Sequence, residues 1–191
     1  RRSWGDFYKS RKQYLFSDSE RVAFLRNQIA SSGKRVCGFS WKSKNQDSGE
    51  DRSLNLREFV NSLKSLDLTL VNLQYGDVSD ALKEVSEELG VEIIQCASVD
   101  NFHDLEGLAA LISACDLVIS ADNTTVHLAG ALGKETHVLL NFNADWRWFE
   151  EKRDSPWYPS LSLYRQLNVG DWSPVFDELK KEISFVSHRF T

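Results

Sequence analysis

The feature that most constrains this chain is an alternation of short apolar runs with stretches of helical spacing, repeated from Arg35 to Leu140. Runs of strand length stand at Arg35 to Ser40, Leu68 to Gln74, Val91 to Gln95, Asp116 to Ser120 and Thr136 to Leu140. Between them, Leu54 to Leu66, Val78 to Leu89, Leu105 to Ala114 and Thr125 to Leu132 read as helices, and Gly90 and Gly133 stop two of these. Strands that alternate with helices pair in parallel through right-handed crossovers. The expected fold is therefore α/β: a Rossmann-like open parallel sheet with helices on both faces, whose ligands lie beyond the carboxyl ends of the strands.

The flanks are expected to be helical. A leading helical segment fills 1–34, with a helix over Ser19 to Ser31 that puts Val22, Leu25, Ile29 and neighbouring Phe24 largely on one face. A C-terminal helix fills 167–191, running from about Trp172 to Val186, and the aromatic stretch from Asn141 to Gln166 reads as irregular. All of 1–191 is thus taken as a single domain, too short for two nucleotide-binding domains. The N-terminus mixes charges and aromatics without a leader pattern, and the chain reads as cut from a longer one.

Composition narrows the partners. A formal net charge of -5 provides no positive field to gather nucleic acid. The most apolar stretch, Leu108 to Ile119, is broken by Asp116, so no transmembrane segment is expected. Cys37, Cys96 and Cys115 lie far apart without metal-ligand spacing. They read as reduced, buried thiols of a cytoplasmic protein, with no zinc site.

The candidate chemistry clusters after the strands. In SADNTTVHLAGALGK, Ser120 to Lys134, either Asp122 or Asn123 can cap a helix whose first turn carries Thr124 and Thr125. Such a helix start offers free N–H groups and a positive dipole end to a diphosphate, with His127 as a further donor. The competing reading is an ordinary capped helix with a buried histidine. A carboxylate at Asp122 would be repelled by a diphosphate, so it is assigned to sugar hydroxyls. Ala129, Gly130, Ala131 and Gly133 keep this helix thin enough to lie close to the sheet.

After the first strand, GFSWKSK places Ser40, Lys42 and Lys44 at the sheet edge, where a lysine can neutralise charge on a departing nucleotide diphosphate. The polar segment from Trp41 to Arg52 reads as a loop. After the second strand, Gln74 can bond ribose or base and Tyr75 can stack on a ring. In DNFHDLE, Phe102 or His103 can line a base pocket, and Asp104 either joins it or caps the next helix. The sequence has no GxGxxG after the first strand, and no GxxxxGK[ST], GxSxG, HExxH or DxD. No metal and no cofactor are expected.

Taken in order, YLFSDSERVAFLRNQ, GFSW, RSLNL, NLQYG, DLEGLAALISACDLVISADNTTVHLAGALGK, DWRWF, DSPWYPSLSLYRQ and GDW resemble glycosyltransferase family 9, the ADP-heptose:lipopolysaccharide heptosyltransferases. The chain resembles especially the similar domains that follow tetratricopeptide repeats in bacterial proteins. The resemblance implies the C-terminal half of a GT-B fold and transfer of a sugar from a nucleotide donor with inversion. It places a phosphate-binding lysine at Lys42 or Lys44, and the donor turn at Asp122, Asn123, Thr124, Thr125 and His127. Where the family has a small glycine this chain has threonine, and its NTT is similar to the HTT of peptide O-GlcNAc transferases. The family's catalytic base comes from an N-terminal acceptor domain, so none is named in this chain.

The expected function is donor binding, with a nucleotide sugar as substrate, in a metal-independent inverting glycosyltransferase. The missing acceptor domain or tetratricopeptide repeats are the expected partners, and the isolated chain is expected to be inactive. The alternative is a catalytically silent interaction domain of the same fold. A sugar-nucleotide epimerase is weaker, because no acid–base pair suited to it stands out.

Overall fold

A computed structural model of the chain describes residues 13–30, 33–43, 49–150 and 152–187. Six strands form one parallel sheet: β1 (Arg35–Ser40), β2 (Leu68–Asn72), β3 (Ile93–Ile94), β4 (Leu117–Ala121), β5 (Thr136–Leu140) and β6 (Leu161–Arg165). Their order across the sheet is β3-β2-β1-β4-β5-β6. The direction of winding reverses between β1 and β4, which opens a crevice at their carboxyl ends.

The helices are α1 (Ser19–Ile29), α2 (Gly49–Arg52), α3 (Leu56–Leu63), α4 (Ser79–Leu89), α5 (Leu105–Ala114), α6 (Thr124–Ala131) and α7 (Ser173–Ser187). The inner strands are buried on both faces, and alternate residues serve different cores. Cys37, Phe39, Leu117 and Ile119 pack with Phe59 of α3, Leu82 of α4 and Leu179 of α7. Val36, Val71 and Val118 pack with Leu25 and Ile29 of α1 and Leu111 of α5. A third core gathers Val126, Val138, Leu140, Leu161 and Leu163 around the fully buried Trp148.

Several expectations are corrected. β6 lies inside the stretch read as irregular: Leu161, Leu163 and Tyr164 are buried and Ser162 is half-buried, a short strand hidden among prolines and aromatics. The third strand is reduced to Ile93–Ile94. The loop after β1 contains the helical turn α2, and the helix expected over Leu54 to Leu66 is α3, started by the Asn55 carboxamide, which accepts from Glu58 N. Phe24 is exposed rather than on the buried face of α1. Cys37 and Cys115 are buried, but Cys96 is half-exposed. Gly130 serves a close approach to the Tyr158 ring: a Cβ there would stand 2.5 Å from Tyr158 Cγ.

Among the described residues, no helix is long and apolar enough to cross a membrane.

Candidate functional site

Three buried side chains from adjacent strand ends lock the mouth of the crevice. Gln74, just past β2, accepts at Oε1 from Ser40 Oγ (2.9 Å), Trp41 N (3.0 Å) and Lys42 N (2.8 Å). Its Nε2 donates to Lys42 O at 3.1 Å and Tyr75 O at 3.3 Å. Asn123, past β4, donates from Nδ2 to Ser40 Oγ (2.7 Å) and Lys42 O (3.2 Å). The main chain of Lys42 is therefore held at both its N–H and its C=O, while its side chain is exposed. Lys44 lies outside the described residues. Gln74 and Ser40 spend their polar atoms inside the chain, so Gln74 acts here as a strut for the loop; the ribose or base contact expected of it would require breaking these bonds.

Asn123, not Asp122, caps α6: its Oδ1 accepts from Thr125 N at 2.9 Å. Thr124 is exposed at the first helical position. Thr125 is 1% exposed, and its hydroxyl has no hydrogen-bond partner among the described residues. A buried hydroxyl without a partner at a helix start is an unusual combination, since most such groups are paired.

Asp122 is also 1% exposed. Its Oδ2 lies 3.3 Å from Arg52 Nη1 but off hydrogen-bond geometry, so the contact is Coulombic. The same guanidinium stands 3.7 Å from Asp145, which itself pairs with Arg147 at 3.1 Å and accepts from Arg147 N to begin the 3₁₀ turn Trp146–Trp148. Arg52 thus joins α2 to the turns after β4 and β5. Neither Arg52 nor Asp145 was singled out from the sequence, where no spacing signals the pairing. Buried behind Arg52, Asp122 is not placed as an open sugar-binding carboxylate.

His127 sits on the flank of α6. Its ring stacks on Trp148 with centroids 5.3 Å apart, and Nδ1 meets the Tyr158 hydroxyl at 3.2 Å. It shares an aromatic groove with Tyr14, Trp146 and Trp157, so it combines the packing reading with partial access. Burial holds its imidazole below the ordinary 6.5, partly offset by Asp122. The folded state consequently binds this proton less readily than the unfolded chain, and the stability His127 provides above pH 6.5 declines as pH falls below that value. The expected result is that His127→Phe flattens the loss of unfolding temperature between pH 7.5 and 5. An unchanged slope would rule out His127 as its source.

A cleft of about 440 Å³ opens beyond β2 and β3, lined by Gln74, Phe102, His103 and Asn101 among others. Tyr75 stands beside it, 6.1 Å from the Phe102 ring. Asn101 Nδ2 donates to the carbonyls of Asn72 and Gln74, and its Oδ1 is buried without a hydrogen-bond partner. Asp104 does not line this cleft. It caps α5 through Gly107 N at 2.8 Å and pairs with Arg21, so the capping alternative holds for it.

These features define the class of the domain: a doubly wound, Rossmann-like α/β unit of the kind found in GT-B glycosyltransferases, with its polar residues gathered at the switch point. The chain is similar to E. coli ADP-heptose lps heptosyltransferase II, with a TM-score of 0.64 and 17% identity over 91% of this chain and 54% of that one. It is similar in the same way to the glycosyl transferase family 9 protein of Veillonella parvula DSM 2008, with a TM-score of 0.61 and 14% identity over 90% and 47% of the two chains. At these identities the likeness is one of fold. In sequence, the chain is 35% identical over 177 residues to Protein FlbA of Caulobacter vibrioides, covering 91% of this chain and 29% of that protein. It therefore spans less than a third of that curated relative. No protein-family model matches it.

Proposed function

We propose that this chain is the donor-binding domain of a metal-independent, inverting glycosyltransferase that uses a nucleotide sugar. The observation that carries the reading is the start of α6 at the switch point, where the buried, unpartnered Thr125 hydroxyl accompanies the first-turn N–H groups. The diphosphate lies across this turn, with Asn123, Thr124 and Thr125 nearest to it. Lys42 or Lys44 neutralises the charge that builds on the leaving diphosphate. Asp122 acts through Arg52: the ion pair cancels a negative charge that would otherwise repel the donor. The nucleoside occupies the cleft beyond β2 and β3, against Phe102 and Tyr75. His127 flanks the phosphates from the aromatic groove. The catalytic base and the acceptor site belong to the rest of the full-length protein, whether an acceptor domain or tetratricopeptide repeats.

The test is the unfolding temperature of the chain with saturating ADP, UDP, GDP or CDP and no metal. One nucleotide is expected to raise it, since occupancy at 100 times Kd adds about 2.7 kcal/mol. Thr125→Val, which replaces the hydroxyl by a methyl of similar size, is expected to weaken that nucleotide about tenfold, the equivalent of ~1.4 kcal/mol. A silent interaction domain is the second reading, favoured by the mutual satisfaction of Ser40, Gln74 and Asn123 without a ligand. It gains if no nucleotide shifts the transition.

A further inference from the structure

One side chain serves two places in the candidate site. Gln74 is 1% exposed and lines the cleft beyond β2 and β3, yet its carboxamide is turned toward the residues that end and follow β1. Its main chain is fixed from the cleft side: Gln74 N donates to Asn72 Oδ1 at 2.9 Å, and Asn101 Nδ2 donates to Gln74 O at 3.2 Å.

The direction of every bond beyond it follows from groups that have no choice. Trp41 N and Lys42 N only donate, so the oxygen of the Gln74 carboxamide faces them and its amino group faces the carbonyls of Lys42 and Tyr75. Asn123 is fixed likewise, since Thr125 N donates to its Oδ1. Its amino group therefore donates to Ser40 Oγ and Lys42 O, and the Ser40 proton goes on to Gln74 Oε1.

All of this converges on the main chain of one exposed residue. Lys42 is held at its N–H and its C=O, while its ammonium has no ion-pair partner among the described residues. Apolar packing already ties this loop start to the core, because the buried Trp41 stacks on Phe39. Two buried carboxamides, each costly to desolvate, are more than the tie requires. What they add is a fixed origin for the Lys42 side chain, so that its charge is aimed before a ligand arrives.

We infer that Gln74 is a positioning residue, which holds Lys42 toward the donor phosphates from the wall of the nucleoside cleft and touches no phosphate itself. The inference rests on the donor-binding reading.

Calorimetric titration of the chain with ADP, UDP, GDP and CDP, each beside its own nucleoside, tests it through the ratio of the two affinities. Gln74→Glu keeps the oxygen that receives the three donors and sets a second oxygen against the carbonyls of Lys42 and Tyr75. It is expected to lower the preference for diphosphate about tenfold, the cost of one misplaced charge-assisted bond, with nucleoside affinity kept within about twofold. In a Lys42→Met chain, where the aimed charge is gone, the same substitution is expected to change the preference by less than about twofold. That non-additivity separates positioning from repulsion by the added carboxylate, which acts whether or not Lys42 is present, and from general loosening of the domain, which lowers both affinities. An additive result, or a Lys42→Met chain with an unaltered preference, overturns the inference while the donor reading stands. Should Gln74→Glu lose its cooperative unfolding, Ser40→Ala removes one donor to Oε1 and takes its place in the same cycle, with an expected effect of about threefold. Binding of no nucleotide overturns the reading and the inference together.

Discussion

Replacing Arg52 by methionine is expected to destabilise the fold by about 3–5 kcal/mol, the usual cost of leaving one charge of a buried pair unpaired. Asp122 has the Arg52 guanidinium as its ion-pair partner and almost no access to water. Methionine fills much the same space as the arginine stem, so the loss reports charge more than volume. The control is Arg52→Met with Asp122→Asn. A neutral carboxamide tolerates the site far better than a lone carboxylate, and the double variant is expected to regain most of the stability. Urea denaturation measures all three proteins. If Arg52→Met alone costs under about 1 kcal/mol, the pair is not the anchor described here.

The second large effect concerns Trp148. It is fully buried among Val126, Val138, Leu140, Leu161 and Leu163, and it supports the His127 ring from one side. Trp148→Ala is expected to cost about 3–5 kcal/mol, through lost burial and the cavity left behind. A second, independent consequence follows for His127. Its imidazole is depressed chiefly by burial, so opening the space beside it should move its titration up toward the ordinary value, as read by NMR of the histidine ring. Trp148→Phe is expected to cost less and to keep most of the depression. A Trp148→Ala chain that unfolds at the urea midpoint of the unmodified protein would contradict this account.

Much of this architecture is legible in the sequence because it follows from local patterns. Apolar runs and helical spacing place five strands and most helices, and the order of elements implies a parallel sheet with its site at the carboxyl edge. Other features depend on contacts between distant segments. Arg52 and Asp122 meet only because α2 folds back over the turn after β4, and no local pattern carries that information. Gln74 has the chemistry of a ligand contact, yet three donors from the β1 end reach it first. Helical spacing puts Phe24 on the apolar face of α1, but the rotation of α1 is set by how it packs on α5, and Phe24 is exposed. β6 escaped because Pro156 and Pro159 precede it and aromatics crowd it, masking a short alternation of leucine and serine.

The anchorage of Lys42 also separates where the following loop begins from what it contains. Its main chain is fastened by side chains rooted in β2 and β4, neither of which belongs to the loop. Segments of different length or composition between Lys42 and Arg52 would still depart from the same point and in the same direction. The domain is therefore built like a socket, in which what the loop carries can be exchanged while the sheet that presents it keeps its register.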